Sequence, residues 1–155
     1  MNRNWKVSPG GNVIYRDESQ IQQTCVNWFA AKFPIIAEHL FSIPNGGKLG
    51  GKRNKRGRSV QGGILVGEGM KSGVADLFLA LARSGLHGLF IETKTPVGTW
   101  RKRQIEFAER QIREGYGYLL YRSQNEFERG VEQYLAGKYK QMTIAEMRQE
   151  MTKKI

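Results

Sequence analysis

Asp76, Glu92 and Lys94 are the side chains in this 155-residue chain whose types and spacing point most directly to chemistry. Asp76 closes Gly73-Val74-Ala75-Asp76 and opens an apolar run from Leu77 to Ala82, while Glu92 and Lys94 end a second run, Leu89-Phe90-Ile91-Glu92-Thr93-Lys94. Two carboxylates side by side in a half-buried sheet raise each other's pKa, and desolvation raises both. A divalent cation removes that cost. Mg²⁺ takes one or two carboxylates and keeps several waters, whereas Zn²⁺ seeks Cys or His, so the pair suits Mg²⁺ or Mn²⁺. A lysine two residues beyond the second carboxylate can orient an attacking water or meet charge developing on a phosphoryl oxygen. Together these groups describe hydrolysis of a phosphodiester. An Asp opening a strand also serves as a plain turn residue, and Glu-x-Lys also closes solvated edge strands. The apolar character of both runs and the Gly-containing turn before Asp76 favour the chemical reading.

The elements that must position these groups follow from the pattern. Two apolar runs separated by Arg83 to Gly88, with Gly85 and Gly88, read as an antiparallel hairpin. Side chains alternate across a strand, so Phe90, Glu92 and Lys94 share one face and Leu89, Ile91 and Thr93 the other. If the turn sets Arg83 opposite His87, Asp76 lies opposite Lys94 and diagonal to Glu92.

Gly73-Val74-Ala75-Asp76, then Glu92-Thr93-Lys94, then Gln104 on a following helix resembles the PD-(D/E)xK nuclease superfamily. More narrowly it is similar to the VRR-NUC family, the virus-type replication-repair nucleases, over about Glu18 to Tyr121. Ala75 departs from the family's usual Pro, which only stiffens the turn. The resemblance implies an α/β fold with a restriction-endonuclease-like core, a mixed central β-sheet flanked by helices. It implies metal ligation by Asp76, Glu92 and the Thr93 carbonyl, with Gln104 and Glu18 completing the catalytic set. On spacing alone Gln104 reads as a surface residue, and Glu18 as equally a dipole or capping residue. The resemblance to single-domain, phage-type relatives further implies action on branched DNA such as Holliday junctions, and cutting both strands of a symmetric junction calls for a homodimer. A nickase or flap nuclease, or a non-catalytic nucleic-acid binder of the same fold, are the alternatives.

Bulk properties agree. A net charge of +11 and a pI near 10 imply a polyanionic partner, nucleic acid or an acidic membrane surface. No helix pairs a basic face with a broad apolar one, no run approaches a membrane span, and residues 1–16 read as an arm with at most a short strand. The single Cys25 excludes an intrachain disulfide and a Cys-based zinc site, which fits a reducing, cytoplasmic setting. Residues 45–63 hold Lys48, Lys52, Arg53, Lys55, Arg56 and Arg58 with seven glycines and no acid, a strip suited to a phosphate backbone, joined by Lys71 and by Arg101, Lys102 and Arg103.

One domain is expected. Asp17 or Ser19 caps a helix to about Phe33, carrying Ile21, Cys25, Trp28 and Phe29 inward. His39 to Pro44 reads as a strand; Gly62 to Gly69 reads as a helix or a strand. Thr99 is placed as cap of a helix from Trp100 to Glu114, whose first-turn cations oppose the helix dipole and suggest a nearby phosphate. Tyr116 to Arg122 reads as a strand. Two capping boxes, Ser123 with Glu126 and Thr143 with Glu146, open the remaining helices. The last, within residues 140–155, is too short to stand alone and must dock on its own domain or a second subunit.

Overall fold

The computed structural model of the chain describes residues 5–7, 13–15, 17–44, 55, 57 and 59–152. The amino-terminal arm forms two short strands, β1 (Trp5–Val7) and β2 (Val13–Tyr15), paired antiparallel. Three-residue runs carry too little alternation for both to be legible in sequence.

Helix α1 (Glu18–Lys32) begins where the Asp17 carboxylate accepts the Gln20 N–H at 2.8 Å. It buries Ile21, Cys25 and Phe29 at four-residue intervals. Pro34 stops it, lacking an N–H for the α pattern, and starts a 3₁₀ turn (Pro34–His39) that feeds strand β3 (Leu40–Ser42). Helix α2 (Val60–Gly67) follows the basic segment and is capped by the Ser59 hydroxyl, which accepts the Gly62 N–H at 3.1 Å. Strands β4 (Leu77–Leu79) and β5 (Leu89–Thr93) form the hairpin, helix α3 (Lys102–Arg113) crosses over, and β6 (Gly117–Tyr121) returns beside β5. Helices α4 (Gln124–Leu135) and α5 (Ile144–Thr152) complete the chain.

The main sheet has the order β3-β4-β5-β6, antiparallel except for the parallel β5–β6 pair. One face carries Leu40, Leu77, Leu79, Leu89, Ile91, Leu119 and Tyr121 against α1 and α4. The other carries Tyr118 against Ala108 of α3 and Met147 of α5. The result is an α/β architecture, a mixed sheet between helical layers, with Glu92 and Lys94 at the carboxyl end of its central buried strand.

Two expectations are corrected, and one open alternative is decided. The hairpin register pairs Leu77 with Ile91 and Leu79 with Leu89, so Asp76 falls across from Glu92, not Lys94. The turn is built on Ser84 and Gly85, both at positive φ, with Arg83 and Leu86 exchanging hydrogen bonds. Three residues then separate that bridge from β4 but only two from β5, a bulge that displaces the pairing. Ala80 meanwhile bonds to His39, and His87 to Gly115, drawing the two arms toward different neighbours. Second, α3 is capped at Arg101 and not at Thr99, because the Gln104 side chain accepts the Arg101 N–H at 3.0 Å. The final helix, expected to dock on its own domain or a second subunit, docks on its own chain. Met147 is 1% exposed, packed with Ala75, Ala108 and Tyr118, while Arg148 pairs with Glu109 of α3.

Candidate functional site

The loop entering β4 lies against the first turn of α3. Gly73 has φ +85°, and a Cβ there would fall 2.8 Å from the Arg103 Cβ and 2.9 Å from the Arg103 backbone, so only glycine permits the approach. Ala75 is fully buried behind it. Asp76 is thereby aimed across the hairpin, where its Oδ2 accepts the Thr93 N–H at 2.9 Å.

Glu92 is fully buried, an uncommon position for a carboxylate. Its Oε1 is gripped by the Gln104 amide and lies 2.9 Å from Lys94 Nζ, and the Tyr118 hydroxyl stands 3.5 Å from Oε2. Burial, reinforced by the facing Asp76 carboxylate, pushes the Glu92 pKa up to about 8, against the opposing pull of Lys94. The Tyr118 hydroxyl is pushed up too, by burial and then by Glu92. Lys94 is 7% exposed; its ammonium also lies 3.5 Å from Glu18 Oε1 at the mouth of the site and 5.5 Å from the centre of the Trp100 ring.

These groups line one cavity of about 740 Å³, which Glu18, Asp76, Glu92, Lys94 and Gln104 share with Ser72, Gly73, Thr99 and the cations Arg101, Lys102 and Arg103. The structure thus brings together every residue assigned to the catalytic set from sequence. Of the cations assigned to the backbone contact, Arg101 to Arg103 reach this rim, and Arg103 is held by Ser72. Lys71 and Lys55 are exposed and do not line the cavity. Lys48, Lys52, Arg53, Arg56 and Arg58 lie outside the described residues.

The donor set fits a hard divalent cation. Asp76 and Glu92 present oxygen only, and their mutual repulsion in a buried setting is what a cation relieves. Among the described residues no three His, Cys, Asp or Glu side chains gather as a metal cage. The Thr93 side chain turns into the core, 2.7 Å from the Tyr121 hydroxyl. The N–H and C=O of a strand residue point to the same side, so the Thr93 carbonyl faces the edge on which its N–H meets Asp76.

Three residues that sequence reasoning missed support the site. Tyr118 stands behind Glu92 because β6 runs parallel to β5 with Phe90 opposite Tyr118. Arg122 donates to the carbonyls of Thr95 and Gly98, both at 2.8 Å, and so shapes the turn between Lys94 and α3. Trp100, read only as a helix start, lies against Lys94.

Comparison with solved structures finds a "VRR_NUC domain protein" with a TM-score of 0.63, covering 81% of this chain and 96% of that one at 20% sequence identity. The chain has the VRR-NUC fold. No family model matches the sequence, and no curated protein matches it. The likeness extends over most of both chains at low sequence identity, so what it shows is the shared fold. Among the described residues no helix is long and apolar enough to cross a membrane.

Proposed function

We propose that this chain is a divalent-metal-dependent DNA endonuclease. What carries the reading is the convergence of Asp76 and Glu92 on one cavity, with Lys94 2.9 Å from Glu92 and three cations on the rim. The VRR-NUC fold, and the name of the solved structure that shares it, point the same way.

Asp76 and Glu92 would hold Mg²⁺ or Mn²⁺, with the Thr93 carbonyl beside them. Such an ion supplies a polarised phosphoryl oxygen and a more acidic bound water. The protein's own part is positional. Gln104 and Tyr118 keep the Glu92 carboxylate from rotating, and Glu18 and Trp100 flank the Lys94 ammonium. That ammonium is placed to orient a water or to meet negative charge on the reacting phosphoryl group. Arg101, Lys102 and Arg103 set the sugar-phosphate chain over the cavity, contacts that fix register without reading bases.

The substrate proposed, from the resemblance to single-domain VRR-NUC nucleases, is branched DNA such as a Holliday junction, recognised by shape. Two cuts related by a twofold axis would need a homodimer. A labelled panel of junctions, flaps, duplexes and single strands, incubated with Mg²⁺ or Mn²⁺, tests both levels. Junction cleavage that vanishes in Asp76→Ala, Glu92→Gln and Lys94→Ala, each still folded, is the expected result. Cleavage of flaps or single nicks alone would replace the junction reading. Binding of DNA and of Mn²⁺ without cleavage of any substrate would overturn the enzyme.

A further inference from the structure

Trp100 flanks Lys94 at the site, and its own surroundings are unusual. Its ring packs on the second core beside Tyr118, the ring centres 6.3 Å apart. Its indole Nε1 is a buried donor with no hydrogen-bond partner, the one such side-chain atom among the described residues. An unsatisfied buried donor is destabilising, and a phenylalanine would fill most of the same space without one. Packing alone therefore favours Phe over Trp here. What Trp adds is the strongest ring face for a cation, and the cation in reach is Lys94, 5.5 Å from the ring centre.

The other neighbours of the Lys94 ammonium are Glu92 at 2.9 Å and Glu18 at 3.5 Å, both carboxylates that line the same cavity. In a site holding a divalent ion Glu92 is shared, and its hold on Lys94 weakens. The Trp100 face has no lone pair to give away. We infer that Trp100 is a positioning residue for Lys94, keeping the ammonium at the cavity when its carboxylate partners are engaged. What Lys94 does there rests on the hydrolytic reading; where Trp100 holds it does not.

The test compares Trp100→Phe and Trp100→Leu with the parent chain in two readouts. Acetylation by acetic anhydride in the presence of Mg²⁺, followed by mass spectrometry, reports access to Lys94, with Lys102, its side chain 89% exposed, as internal reference. Labelling of Lys94 should rise about threefold in Trp100→Phe and about tenfold in Trp100→Leu, as expected for weakening and losing a cation–π contact. On a cleaved substrate kcat should fall in the same order with KM unchanged, while Trp100→Phe unfolds at no lower temperature than the parent. Parent-like labelling of Lys94 in both variants, or in Trp100→Phe should Trp100→Leu not fold, overturns the inference. A parent chain that cuts no DNA removes the hydrolytic reading and leaves the labelling result to decide on Trp100.

Discussion

Gln104 joins the start of α3 to Glu92. Its amide nitrogen donates to Glu92 Oε1, and its amide oxygen accepts the Arg101 N–H at 3.0 Å, so one side chain caps the helix and orients the buried carboxylate. The helix that carries the rim cations is thus registered against the strand that carries the acids.

Gln104→Ala should separate these two effects. Losing the helix-start contact costs about 1 kcal/mol of stability. Freeing Glu92 from its partner should lower Mn²⁺ affinity or cleavage about 10- to 100-fold, as removal of a group that orients a ligand usually does. Thermal unfolding and calorimetric Mn²⁺ titration measure the two separately. Parent-like affinity with reduced stability would confine Gln104 to capping.

The buried Glu92 makes stability depend on pH in a definite sense. Its pKa rises from the ordinary 4.5 to about 8 on folding, so the folded state binds the proton more tightly than the unfolded one. The stability this confers is complete below about pH 4.5 and is lost as pH climbs through 8. The loss is on the order of 5 kcal/mol for the metal-free chain. Glu92→Gln, compared with the parent by denaturant titration from pH 5 to pH 8.5, should abolish this slope and be the more stable protein at the alkaline end. A saturating divalent ion, at about 100 times its Kd, should return about 2.7 kcal/mol to the parent and little to the variant. Identical pH profiles for the two proteins would mean that folding does not raise the Glu92 pKa.

Gly73 tests whether the loop before Asp76 is held by close approach to α3. A methyl group there meets Arg103 at 2.8 Å on a backbone already at φ +85°. Gly73→Ala should cost about 1–3 kcal/mol and displace Asp76, reducing Mn²⁺ affinity with it. Gly85→Ala is the control: it also has positive φ, +73°, but meets nothing within 4 Å. It should lower stability without touching the metal.

How much of this was legible beforehand follows from which interactions are local. The carboxylates and Lys94 were legible because strand alternation sets their faces, and a register error of even parity leaves each side chain on its face. The error has two equal parts: the turn pairs Arg83 with Leu86 and not His87, and the arm before Arg83 holds an extra residue, which no alternation records. Gln104 was found through resemblance alone, because a polar residue in a first turn carries no sign of the buried carboxylate it meets. Tyr118, Arg122 and Trp100 were missed because their roles depend on the parallel β5–β6 pairing across the α3 crossover. Helix α2 stayed ambiguous for another reason. None of its residues is buried, so its apolar side chains follow no core-facing period.

The docking of α5 supplies the last prediction, since it bears on both stability and assembly. Met147 fills the space between Ala75, which precedes Asp76, and Tyr118, which backs Glu92, and Glu109 accepts from Arg148 at 3.0 Å and through a second, shorter contact. Met147→Ala should therefore cost about 2–5 kcal/mol as a buried large-to-small change. It should also loosen the wall behind both carboxylates, so Mn²⁺ affinity should fall with stability. Because Met147 is spent inside the domain, the mass of the folded variant measured by light scattering should equal that of the parent. A variant that dissociates while keeping parental stability would place this helix at a subunit contact after all. Arg148→Ala adds the complementary measurement: it removes the exposed partner of the buried Glu109, and should lower the thermal midpoint while leaving metal binding untouched.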